Sequence, residues 1–537
     1  MKATNMKKAI SKTQLLPMVV VALLLAATTA FAAAPGISGT GTAGTFNLTA
    51  QAAYITQPDG QMVYSWGYGC VTGSSPSYLP STITTTPTCN TMQVPGPTLI
   101  VTENQTVTVN LTNNLPTPAG NTSILFPGFK VTTSGGTPGL LTAEAAPGQT
   151  VTYTFTAGSP GTRAYYSGSQ SDLQVEMGMF GAIIVLPATA QASCDNPAVR
   201  TNLFGVTGAL KAESDFRLAH AAYDNARTCY DREYLFQFSE MDPRIHSQAQ
   251  AQVLALGSCT AGAVGCSLEV ATEPYHPAYF MINGRSMPDD MDPNYATQYP
   301  HQPYNGDPHM HPGELVLLRV IGQGRWQHPF HEHGNHVRIL GRDGNLILAS
   351  NAAAETNLAG PLLFTTTTTP GLAFDGIFYW TAKGLNWDAY GHTNAHTDAV
   401  ATCTPDANGY NTSSTAYGSI NYYEWCQDHN KPVQAYPFGD VAGGGPVTLP
   451  DPNLFTNGAW YGGSPYLGPD ATVRATGPTG TTPPSGTIAN PPSSEAGFAF
   501  MWHSHNEREI TTNNIFPGGM LMMMLVDSRE FVIDESN

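Results

Sequence analysis

The sequence predicts an all-β protein built as tandem β-sandwiches, on three observations. Its 54 glycines and 42 prolines, with runs such as Thr365 to Thr369, suit many short strands joined by turns. Apolar and polar residues alternate in short bursts, most strictly in Val151-Thr152-Tyr153-Thr154-Phe155, which is the period of a half-buried strand. A length of 537 residues with 41% hydrophobic content is enough for two or three domains, each with its own core.

The chain opens with Lys7, Lys8 and Lys12, an apolar run from Leu15 to Ala27 and a small-residue site at Ala30-Phe31-Ala32. This is the pattern of a secretory signal peptide over residues 1–34, cleaved near Ala32 or Ala34. A membrane anchor fits less well, because the run is short for a bilayer and Pro35-Gly36 with a Gly/Thr linker follows at once. No later segment is apolar enough to span, so the mature chain is expected to be secreted or periplasmic, with no membrane span. The eight cysteines suit an oxidising compartment. They fall as successive pairs, Cys70 and Cys89, Cys194 and Cys229, Cys259 and Cys266, Cys403 and Cys426, and sequential disulfide pairing is the expectation. Metal ligation by them is disfavoured, since none sits in a CxxC or next to a ligand-type histidine. Lys and Arg number 22 against 39 Asp and Glu, for a formal charge of −17, which argues against nucleic acid as a partner because phosphate binding needs surplus cations.

The first sandwich is expected over residues 38–188, with strands at Thr98 to Val101, Gln105 to Leu111 and Val151 to Phe155, and Gly178 to Leu186 as a buried closing strand. Residues 189–229 read as an Ala-rich linker with a helical stretch around Ala209 to Asn225 and Cys194 and Cys229 at its ends. The second sandwich, residues 230–527, takes strands at Glu233 to Phe238, Tyr279 to Asn283, Glu314 to Val320 and Val337 to Leu340, and closes with Phe498 to His503 and Met520 to Val526. Residues at about 390–495, rich in Gly, Pro, Thr and Asn, form a long loop-rich insertion of the size that covers or gates a site. Met520, Met522, Met523 and Met524 read as a core strand rather than as copper-binding thioethers, since consecutive residues face opposite ways.

All 15 histidines lie after residue 219. Two tight clusters dominate, His328-Pro329-Phe330-His331-Glu332-His333 and His503-Ser504-His505. Residues two apart on a strand share a face, so His331 with His333, and His503 with His505, can each aim at one point. Two such strands side by side would converge their imidazoles on a transition metal, copper or zinc first, with iron and nickel open. His309 and His311 form another HxH, readable either as a solvated loop or as a second, weaker copper site. His336 follows the first cluster, and Glu507 and Glu509 follow the second, where they can orient an imidazole from behind or stand as exposed charge. His392 and His396 lie in the insertion without a partner motif.

His328-Pro329-Phe330-His331-Glu332-His333-Gly334 resembles the HPxHxHG motif of the multicopper oxidases, and Trp502-His503-Ser504-His505 stands where that family has HCH. Ile282-Asn283-Gly284-Arg285, Pro312-Gly313-Glu314 and Gly178-Met179-Phe180-Gly181-Ala182 are similar too, and the likeness covers most of residues 45–188, 230–345 and 498–527. The resemblance implies cupredoxin-like Greek-key sandwiches, a copper cluster held by His331, His333, His503 and His505, and a separate blue type 1 copper on His328. The chain departs from the family at Ser504, which replaces the thiolate ligand, and at Glu509, where a further histidine is expected. It departs again in the first domain, where Phe126-Pro127-Gly128-Phe129 and Tyr166-Ser167-Gly168-Ser169 replace histidine motifs. What remains implies a reduced, His-only site for one to two copper ions, with zinc or another transition metal open.

Two functions of different classes follow from this. One is a copper-dependent oxidoreductase of this family, lacking the type 1 Cys and the first-domain histidines and taking electrons from a small-molecule or metal-ion reductant. The other is a non-catalytic periplasmic or extracellular copper-binding, carrier or structural protein. The sequence leaves homo-oligomerisation open.

Overall fold

The computed structural model describes residues 34–40, 44–81, 87, 89–191, 194, 217–311, 314–349, 357–380, 463–467, 488–489, 497–527 and 533. Residues 1–33 of the expected signal peptide, most of the expected insertion, Cys403, Cys426, His392 and His396 lie outside the described residues.

Strict alternation becomes a half-buried sheet. Along Thr150–Thr156 the side chains of Val151, Tyr153 and Phe155 are buried while the threonines between them are not. The strand pairs antiparallel with Thr106–Asn113, placing Val151 opposite Leu111 and Tyr153 opposite Val109, so one face of both enters a common core. These strands belong to a five-stranded sheet in the order Met62–Cys70, Thr45–Thr56, Thr106–Asn113, Thr150–Thr156, Thr132–Gly135. A second five-stranded sheet faces it, in the order Gly161–Tyr166, Phe180–Leu186, Leu99–Thr102, Gly36–Ser38, Ser77–Leu79. The closing strand Phe180–Leu186 is buried along nearly its whole length, as its continuous apolar text requires.

The later residues form the second Greek-key sandwich. One sheet runs Tyr279–Ile282, Arg232–Met241, Leu315–Gly322, Ala373–Tyr379, Val337–Arg342, Asn345–Leu346, and the other His309–Met310, Leu521–Asp527, Gly497–Ser504, His328–Glu332, Thr365–Thr368. Between them Phe236, Phe238, Phe330, Phe378, Trp502, Met520, Met522 and Met524 make one apolar core, so the alternate methionines are packing residues. Two short strands fall inside the expected insertion, Gly463–Leu467 and Ile488–Ala489, the first pairing with Gly497–Ser504.

The two halves meet through apolar contacts among Ala164, Ala182, Ile184, Leu235, Ile321 and Ala373 and through a buried polar knot. In the knot Asp375 accepts from Thr162 N at 3.1 Å, Thr162 Oγ1 at 2.6 Å and Tyr223 OH at 2.7 Å, beside the Arg319–Glu233 ion pair at 2.8 Å.

Two local features depart from the sequence reading. A helix at Pro243–Leu256 begins on Asp242, whose side chain accepts from Arg244 N, with Pro243 in the first turn, and it buries Ile245 and Ala249 in the first half's core. The expected helical stretch around Ala209 to Asn225 is not helical over residues 217–225, which bend into a short 3-10 turn at Ala226–Thr228. There Asn225 and Thr228 spend their side chains on neighbouring backbone groups, an arrangement that competes with helix. Three of the expected disulfides are formed, Cys70–Cys89, Cys194–Cys229 and Cys259–Cys266. Among the described residues no helix is long and apolar enough to cross a membrane.

Candidate metal centre

Strands His328–Glu332 and Gly497–Ser504 are antiparallel neighbours in a register that sets His331 directly opposite His503. Alternation then sorts the side chains by face. Phe330 and Trp502 turn into the sandwich core, 6.1 Å apart between ring centroids, and His331, His333, His503 and His505 take the opposite face. Trp502 also fixes the backbone beneath the site, its Nε1 donating to the His333 carbonyl at 2.9 Å.

The ligand nitrogens of His331, His333 and His503 lie within 4.8 Å of one another, and the Nε2 atoms of His333 and His503 are 3.4 Å apart. His505 stands beside this group rather than in it. Its ring is 4.7 Å from that of His331 and 5.5 Å from that of His503, its side chain is half exposed, and Glu507 approaches its Nδ1 at 3.5 Å. The His331 Nδ1 meets Thr365 Oγ1 at 2.6 Å, which directs metal binding to Nε2. The His503 Nδ1 faces the Ser504 carbonyl at 2.7 Å; a carbonyl only accepts, so Nδ1 carries the hydrogen and Nε2 the lone pair.

Electrostatics favour the neutral form of His331 and His503. Burial first, and then the neighbouring rings of His333, His503 and His505, push the His331 pKa down to about 4. Burial also lowers His503, against the opposing pull of the Ser504 carbonyl. Neutral imidazole is the form that binds a metal, so the arrangement is ready for one at neutral pH.

The structure parts from the sequence expectation at His328. Instead of offering a ring nitrogen to a metal, the buried imidazole meets Glu509 Oε2 at 2.8 Å through Nδ1 and Glu240 Oε2 at 2.9 Å through Nε2. Glu509 also accepts from Ser504 Oγ at 2.5 Å and from Asn506 Nδ2 at 2.8 Å, so it serves His328 and the end of a strand rather than a converging imidazole. His309 and His311 are not a solvated loop. Both are buried, because His309–Met310 pairs with the chain's last long strand, and His309 Nε2 lies 3.3 Å from Asp307 Oδ2. His336 packs its ring on Phe364 at 4.9 Å, and Phe364 in turn lies 5.8 Å from His331. The first-half positions without histidine are filled otherwise. Phe126 packs against Phe155 at 4.9 Å, Ser167 Oγ donates to Gln174 Oε1 at 2.6 Å, and Ser169 Oγ donates to Glu144 Oε1 at 2.7 Å.

Sequence reasoning missed Glu240 and Thr365. The signal for Glu240 was a carboxylate within a strand, Arg232–Met241, that is buried at every position and must therefore find a partner. Glu332, between the two ligand histidines, turns to the core side, where neither oxygen has a hydrogen-bond partner among the described residues. Burial raises its pKa well above the carboxylate range, so it is held neutral.

Two family models described as multicopper oxidase match residues 73–190 and 271–397. Laccase-3 of Botryotinia fuckeliana is 37% identical over 105 residues, 19% of this chain and 22% of that protein, and Laccase-2 of the same organism is 36% identical over 110 residues, 20% and 18%. The aligned part is thus about a fifth of these curated relatives' length. Among solved structures, a blue copper oxidase from Nitrosomonas europaea aligns over 90% of this chain and 85% of its own at 15% identity and a TM-score of 0.43.

Proposed function

Because this chain belongs to the multicopper oxidase family, we propose that it is a secreted or periplasmic protein that binds about one to two copper ions through a reduced, His-only site. The observation that carries the reading is the convergence of the His331, His333 and His503 nitrogens within 4.8 Å. The donor set fits copper: the imidazoles are of borderline softness, two of them have lowered pKa values, and the lone pair of His503 is fixed by the Ser504 carbonyl. When bound, copper supplies one-electron redox chemistry. The chain's own residues orient it: Thr365 holds the His331 ring, Ser504 the His503 ring, and Trp502 the backbone of His333. His505, half exposed, gives ions a way in from solvent, and the apolar ring of Phe364 borders the site. The chain is read as two domains, residues 38–188 and 230–527, of which the second carries every histidine of the site, and the electron source is a small-molecule or metal-ion reductant.

A second reading, a non-catalytic copper carrier, is favoured by one observation. The interior position where a thiolate would bind a blue copper holds Ser504, Glu509 and His328 in mutual hydrogen bonds. A hydroxyl lacks the soft sulfur donor on which a blue centre depends.

Metal analysis with copper EPR on protein matured through the secretory route tests both. The expected result is at most about two coppers per chain, a type 2 signal, a nearly colourless protein and little oxidation of phenols. Copper-dependent oxidation of a small-molecule or metal-ion reductant, coupled to oxygen uptake that stops short of water, would decide for the enzyme. An intense blue band, or reduction of oxygen to water, would overturn the reduced site.

A further inference from the structure

His328, Glu240 and Glu509 hold no copper in the reading above, yet they stand where the two ligand-bearing strands end. His328 is the first residue of the strand that carries His331, and Ser504 the last residue of the strand that carries His503. Glu509 sits in the turn after that strand, and Glu240 near the end of Arg232–Met241 in the facing sheet.

We propose that His328, held between Glu240 and Glu509, is the positioning clamp of the copper site, fixing the ends of both ligand strands to each other and to the opposite sheet. The proposal rests on the copper reading above. Each ring nitrogen faces a carboxylate oxygen, at 2.8 and 2.9 Å, and a carboxylate accepts, so both nitrogens donate and the ring is an imidazolium. Glu509 carries the tie onward through Ser504 Oγ and Asn506 Nδ2, which holds the turn leading out of His505. The His505 backbone N donates to the Pro329 carbonyl at 2.8 Å, joining the two strands next to the clamp. On the far side Glu240 Oε1 accepts from Arg325 N at 2.7 Å, Trp326 N at 2.9 Å and Tyr275 OH at 3.2 Å, so the second carboxylate is itself fixed. Thr368 Oγ1 donates to the His328 carbonyl at 3.1 Å, bringing in the strand that begins with Thr365, the partner of His331. A protonated ring thus cross-links the strands from inside the sandwich, a task for which many proteins use a metal ion.

The test uses the full chain with copper(II) alone as the probe. H328Q and E509Q are compared with wild type by competition titration, copper EPR and amide hydrogen exchange, and S504A serves as a milder variant that removes only the hydroxyl tie. Supporting groups around metal ligands change affinity about tenfold or more, and a loss of that size is expected in H328Q, with altered copper hyperfine splitting and faster exchange at the His505 amide. If H328Q fails to fold, the same changes, smaller in size, are expected in S504A. Unchanged affinity, EPR and exchange in folded variants would overturn the clamp while leaving the copper reading intact. If wild type binds no copper the copper reading falls, and exchange at the His505 amide still decides whether the triad holds the strands.

Discussion

A charged histidine in the core makes stability depend on pH in a direction that can be worked out. Burial alone would lower the His328 pKa, but the hydrogen bonds and charges of Glu240 and Glu509 outweigh it and raise the value to about 9. The folded value lies above the ordinary one near 6.5, so the stabilisation is fully present below pH 6.5 and is lost as pH rises through about 9. A shift of this size corresponds to about 3 kcal/mol. Urea unfolding between pH 6 and pH 9, below the range in which the buried tyrosines with raised pKa values begin to destabilise the fold, should show a steeper decline in wild type than in H328Q; equal slopes would mean that the ring is not the titrating group. At this scale the sequence could set His331 with His333 and His503 on one face, because HxH spacing on a strand is a local property, while His505, past the strand's end, stands beside them. It was silent on the fate of His328, whose partners lie 88 and 181 residues away, a distance over which spacing says nothing.

Elements were legible where one period dominated. Thr150–Thr156 and Thr106–Asn113 alternate without interruption, and both are strands within a residue or two of their expected ends. The Pro243–Leu256 helix carried its own start signal, an aspartate followed by proline, inside text otherwise read as sandwich. That start is testable. Asp242 caps the helix through one oxygen and accepts from the His276 backbone at 2.8 Å through the other, so Asp242→Ala should cost about 2 kcal/mol in urea unfolding, and Asp242→Asn should recover only the cap, since its amide nitrogen cannot accept from His276. An Asp242→Ala protein as stable as wild type would show that packing of Ile245 and Ala249 suffices to hold the helix. Residues 217–225 failed in the opposite way, since Ala-rich composition suggested helix and local side-chain hydrogen bonds decided for bends.

The halves of the molecule are joined by a knot whose removal should be felt globally. Asp375 is buried with three hydrogen bonds from Thr162 and Tyr223, and it faces Arg319 at 3.6 Å. Asp375→Ala would leave that guanidinium with less compensation at a cost of about 3–5 kcal/mol, and calorimetry should then resolve the unfolding of the halves into separate transitions. A single transition at the wild-type temperature would assign the coupling to the apolar contacts instead. This contact was beyond sequence reading, since it depends on how two sandwiches dock. A last consequence lies in the pairing of His331 opposite His503. The same two strands feed the core through Phe330 and Trp502 and the histidine cluster through the residues between, so a slip of one residue would bury imidazoles and turn indole and phenyl rings outward. On the copper reading proposed above, metal retention works as a proofreading signal: protein recovered from refolding that holds copper at these histidines would have both strands in their native register.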